Sequence, residues 1–141
     1  MRLALVLFLL AIMLAATGCP NTPAERPVVC LEAGSLAPCT PAYDPTYDNV
    51  YANAFQPSCA KTGFSCHSPE GRQGGLDFFD KEGVFAAMHE QRVVRAGSPE
   101  CSDVVQRIIS TDGFFRMPPG ANISAEQQCA IITWIANGAN R

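Results

Sequence analysis

Apolar residues along this chain fall into one unbroken run near the start and four shorter sets with helical spacing. The run covers residues 3–14. In the first set, Val50, Tyr51, Ala54 and Phe55 share one face of a helix over residues 47–55, and Pro57 is expected to end it. The second set is Val84, Phe85 and Met88, on a helix with Asp80 as N-cap that reaches about Gln91. Phe79 and Val84 there have the spacing of a hydrophobic staple. The third has the cleanest stripe: Cys101, Val104, Val105, Ile108 and Ile109 follow the start signal Ser98-Pro99-Glu100. The fourth holds Ala130, Ile131, Trp134 and Ile135, with Ser124 and Gln127 as a capping box and Gly138 as the stop. Leu76-Asp77-Phe78-Phe79 reads as extended chain, but no strand finds a partner. The predicted fold is all-α, a small domain of about four helices.

The run at residues 3–14 is too short for a comfortable membrane span. Arg2 precedes it and Ala15-Ala16-Thr17-Gly18 follows it, the layout of a secretory signal. Ala16-Thr17-Gly18-Cys19 resembles a bacterial lipobox, in which Cys19 becomes the lipid-bearing N-terminus. The other reading is an ordinary secretory signal with Cys19 near the cut. Pro20 in place of Asp after that cysteine resembles sorting to the outer membrane, facing the periplasm or the exterior. The predicted organisation is a signal peptide over residues 1–18, a lipid-anchored Pro-rich linker over 19–44 and a domain over 45–141. Cys30 and Cys39 lie nine apart in that linker and are expected to pair with each other, the alternative being bonds to the domain. Loss of residues 1–18 removes Arg2 and leaves 9 basic and 13 acidic side chains, a formal charge of −4. That balance excludes a nucleic-acid footprint.

The densest chemistry lies between the first two helices, at Cys59-Ala60-Lys61-Thr62-Gly63-Phe64-Ser65-Cys66-His67. Cys-x-x-Cys-His is the pattern of covalent haem attachment, but six residues separate these cysteines instead of two. The spacing leaves three outcomes: attachment through both thiols with the intervening chain looped out at Gly63, attachment through Cys66 alone, or a Cys59–Cys66 disulfide without haem. Apart from Cys19 the cysteines number six, so the count alone does not choose. Zinc held by Cys59, Cys66, His67 and one more ligand is a further reading, at odds with the usual ligand spacing. Met117 is a loop or core methionine by default, and His89 a surface or helix-end residue.

The order of these pieces resembles a class I cytochrome c domain of the kind found in bacterial secreted proteins and lipoproteins. The resemblance rests on Cys66-His67, Gly75-Leu76-Asp77, Gly97-Ser98-Pro99-Glu100, Val105-Gln106-Arg107-Ile108, Arg116-Met117-Pro118-Pro119 and residues 134–139. It implies haem c bound through thioethers from Cys59 and Cys66. His67 would be the proximal iron ligand, and Met117, stiffened by Pro118 and Pro119, the distal one. Phe55 and Trp134 would pack near the ring, and Cys101 and Cys129, on helices that meet in such a fold, become candidates to pair with each other. The implied function is single-electron transfer with a redox partner protein. No acid–base pair or nucleophile constellation marks an enzyme. A haem-free, disulfide-stapled domain with a structural or interaction role is the alternative.

Overall fold

Four helices carry residues 27–141, the part of the chain described by this computed structural model, and no strand forms among the described residues. The signal, the lipobox and Cys19 lie outside them. Helix α1 spans residues 47–59 as three consecutive pieces: an α turn Tyr47–Val50, a π turn Tyr51–Phe55 and an α turn Gln56–Cys59. Pro57 therefore does not end the helix. Proline has no N–H to offer the carbonyl four residues back, here that of Asn53. The π turn shifts the register, with the Gln56 N–H reaching the Tyr51 carbonyl. The Asn53 carbonyl is taken up instead by Gln127 Nε2, at 2.6 Å. The result is that Cys59 rides on the last turn of a helix.

Helix α2, Lys81–Glu90, starts as expected, the Asp80 carboxylate accepting the Gly83 N–H at 2.9 Å. The staple does not form: Phe79 is half exposed, while its neighbour Phe78 turns inward, 5.3 Å from the Phe55 ring. Helix α3 is shorter than its stripe, Asp103–Ile109, with Pro99–Cys101 split off as a 3₁₀ turn. The split falls at Ser102, whose buried hydroxyl donates to the Ser98 carbonyl at 3.0 Å and accepts the Arg95 N–H at 2.9 Å. Helix α4, Ala125–Ala136, has the full capping box at Ser124 and Gln127, and Gly138 (φ 100°) closes it. Its buried residues Ala130, Ile131, Trp134 and Ile135 are the predicted face. They join Tyr47, Val50, Phe55, Val84, Met88 and Val105 in one core, in which the Trp134 indole donates to the Asn140 carbonyl at 2.7 Å.

The segment read as a linker lies against the domain over its described part. The Leu31 N–H donates to the Glu100 carbonyl at 3.0 Å and the Ala42 N–H to the Glu126 carbonyl at 3.3 Å. Gln106 Nε2 donates to the Val29 carbonyl at 2.6 Å, and Leu31, Leu36 and Tyr43 pack on the core. Disulfides join Cys30 to Cys101 and Cys39 to Cys129. This corrects both expected pairings, Cys30 with Cys39 and Cys101 with Cys129. Between the two cysteines the strap makes a turn, the Ser35 N–H donating to the Glu32 carbonyl at 3.0 Å, and its ends are bonded to different parts of the domain, Leu31 to Glu100 and Ala42 to Glu126. Each strap cysteine instead meets a domain cysteine.

Candidate functional site

A cleft of about 320 Å³ opens between the end of α1, the loop after it, α3 and the loop that precedes α4. Its size is in the range of small-molecule sites, roughly 300–1,000 Å³. Phe55, Leu76, Phe78, Val93, Val104 and Ile108 give it an apolar wall. Cys59 and His67 line it from one stretch of chain and Met117 from fifty residues further on. Phe55 lines the cleft, and Trp134 belongs to the core beneath, with its ring centroid 6.2 Å from that of Phe55.

His67 is set by its own loop. Its Nδ1 lies 2.7 Å from the Gln73 carbonyl, which can only accept, so Nδ1 carries the proton and Nε2 keeps its lone pair. Its ring meets Phe78 edge-on at 5.5 Å, and its own carbonyl accepts the Phe78 N–H at 2.9 Å. Burial pulls its pKa below the ordinary imidazole value; the Gln73 bond opposes this, and the Arg107 charge adds to it. The imidazole is thus a neutral donor aimed by a second partner.

The six residues between the cysteines form a compact excursion. Gly63, at φ 122°, supplies a backbone conformation that L side chains rarely adopt, and its carbonyl accepts the Cys66 N–H at 3.1 Å. Buried Ser68 ties this loop down, its hydroxyl donating to the Gly63 carbonyl at 3.2 Å and accepting the Gly71 N–H at 3.3 Å. Gln73 Nε2 donates to the Phe64 carbonyl at 2.7 Å. Cys59 and Cys66 are both free thiols, which leaves the disulfide outcome for this pair unrealised. Burial pushes the Cys59 thiol up to about 12, with Lys61 opposing. Cys66 is half-buried but does not line the cleft.

On the opposite side, the Met117 N–H donates to the Arg107 carbonyl at 3.1 Å, which fixes the Met-Pro-Pro loop to α3. His89 stays away from the cleft, between Phe85 at 4.6 Å and Trp134 at 6.4 Å. Among the described residues no group of three or more His, Cys, Asp or Glu converges as a metal site, so the zinc reading finds no donor set. Gln73, Ser68 and Arg107 are the site residues that sequence reasoning missed. The one signal near the first two is the turn composition of Ser68-Pro69-Glu70-Gly71 and Gly74-Gly75.

A family model described as Planctomycete cytochrome C matches residues 64–120. The match takes in Cys66, His67, Arg107 and Met117 and leaves Cys59 outside. It supports a cytochrome c-like domain, in keeping with the four-helix architecture. No curated protein and no solved structure matches the chain.

Proposed function

We propose that this chain is an exported electron carrier that binds haem c in the cleft, with His67 and Met117 as the residues that would hold its iron. The observation that carries this reading is that an imidazole with its Nε2 lone pair free and the thioether of the Met-Pro-Pro loop line one cleft with an apolar wall. The bound group would supply a one-electron ferric–ferrous couple, which a thioether ligand poises high. The Gln73 carbonyl holds the His67 ring in orientation and tautomer. Phe55, Phe78, Leu76 and Val104 give the cleft an apolar wall that would exclude water from a group bound there. Cys59 and Cys66, outside any disulfide, are the thiols available for thioethers. No general acid, base or nucleophile is needed for electron transfer, and the protein is proposed to be no enzyme. Export fits two long-range disulfides, which persist in oxidising compartments, and anchoring through Cys19 rests on the lipobox resemblance.

One observation favours a second reading, a haem-free structural or interaction module: the Cys66 side chain is not in the cleft wall. Production in a host competent for c-type haem maturation decides between them. The expected result is covalent haem on a denaturing gel and a reduced-minus-oxidised spectrum of a six-coordinate cytochrome. Absence of covalent haem removes the electron-carrier reading. Met117→Ala should lower the reduction potential and open the site to added ligands; an unchanged spectrum and potential would show that another group binds the iron.

A further inference from the structure

Arg107 makes three separate contacts to the loop that ends in Met117. Its backbone carbonyl accepts the Met117 N–H at 3.1 Å. Its guanidinium Nη1 donates to the Phe115 carbonyl at 3.2 Å. The same guanidinium lies over the Phe115 ring, 4.2 Å from its centroid. The side chain also lines the cleft itself. Within the loop, the Asp112 carbonyl accepts the N–H groups of Phe115 and Arg116. Of the contacts described for residues 115–117, those to Arg107 are the ones that reach a helix, and α3 is firmly seated by buried Val105 and Ile108.

From this geometry we infer that Arg107 is the positioning residue for the Met117 thioether, clamping its loop to α3 through the planar guanidinium. The inference rests on the haem reading for its consequence, but the clamp itself belongs to the chain alone. Arginine suits the task because one planar group can donate to a carbonyl and stack on a ring at once. A lysine at this position keeps the charge and loses the stacked, forked geometry. Phe114 is fully exposed and Phe115 partly exposed, so core packing does little to hold these two residues, while Arg116 and Met117 after them are half-buried. Met117 lies two residues after Phe115 in the chain and would otherwise move with it.

The test has two arms. In haem-free protein, amide hydrogen exchange at Met117 should quicken at least tenfold in Arg107→Gln and in Arg107→Lys, while exchange in α4 stays as in the natural chain. In haem-loaded protein, added imidazole should displace the distal ligand at least tenfold more readily in both variants, and the reduction potential should fall. Phe115→Leu, which keeps the arginine and removes the stacked ring, should move both readouts in the same direction by a smaller factor, and it stands in if the Arg107 variants do not fold. Exchange and displacement unchanged in a folded variant overturn the clamp. If the natural protein takes up no haem while the haem-free variants still show the exchange effect, the clamp stands and the electron-carrier reading fails instead. A lowered thermal midpoint with unchanged exchange at Met117 means a merely structural arginine, and also overturns the inference.

Discussion

Position 71 admits glycine for reasons of space. A Cβ there would strike the carbonyl oxygen of Cys66 and lie 2.6 Å from that of Gly63 and 2.9 Å from that of Phe64. These are backbone atoms of the excursion between the cysteines, which cannot swing aside as a side chain could. Gly71→Ala should cost about 1–3 kcal/mol, as overpacking does, and should lower the yield of covalent haem, because the displaced segment carries Cys66 and His67. Chemical denaturation and haem staining measure the two effects; unchanged stability would show that the loop yields freely. Side-chain type alone singled out Cys59, Cys66, His67 and Met117 in the sequence, and three of them, Cys59, His67 and Met117, line one cleft. What orients His67 could not be read from the sequence. It is the main-chain carbonyl of Gln73, a group every residue possesses, placed by a 3₁₀ turn over Gln73–Gly75. Ser68 was equally opaque: a serine in a turn-rich stretch gives no sign that its hydroxyl will be buried and will bridge Gly63 and Gly71.

At the scale of elements, local signals were read well and their tertiary uses were missed. The capping box of α4 was visible as Ser124 and Gln127, because both its hydrogen bonds lie within one turn. The other arm of Gln127 crosses to Asn53, and no local pattern announces it. That contact resolves the misreading of α1, which expected Pro57 to stop a helix that continues to Cys59. A proline ends a helix when the carbonyl it abandons has no other partner. Here a glutamine from α4 provides one. Gln127→Ala should cost about 1–2 kcal/mol, combining a lost cap with a lost hydrogen bond. In a Pro57→Ala background, residue 57 regains an N–H that can serve Asn53, so the same change should cost less. A coupling of at least about 0.5 kcal/mol in the double-mutant cycle is expected. Additive effects would show that Gln127 and Pro57 are not linked through the Asn53 carbonyl.

For the molecule as a whole, the Pro-rich composition of residues 20–44 read as a tether, and its described part forms a strap sewn onto the domain. Composition reports that such a segment will not be helical; it does not report what the segment lies against. Nearness in sequence favoured Cys30 with Cys39, since short loops close most easily. Stability favours the opposite choice. The bonds found close separations of 71 and 90 residues. In the chain-entropy model each restrains the unfolded chain by about 4.5 kcal/mol, against about 2.5 kcal/mol for a nine-residue loop. A small domain with an open cleft beside its core gains from the difference. The strap bonds also hold the structure on both sides of the Met117 loop: Cys101 lies just before α3 and Cys129 in α4. Cys39→Ala with Cys129→Ala should therefore lower the unfolding free energy by about 2–5 kcal/mol. Removing the Cys30–Cys101 bond should cost nearly the same, because loop length enters only as a logarithm. Denaturant titration of the two double variants measures both losses. Peptide mapping under non-reducing conditions should recover Cys30 linked to Cys101 and Cys39 linked to Cys129, with Cys59 and Cys66 in neither bond. A Cys30–Cys39 peptide would return the strap to the status of a free tether and remove this account of how the domain is stabilised.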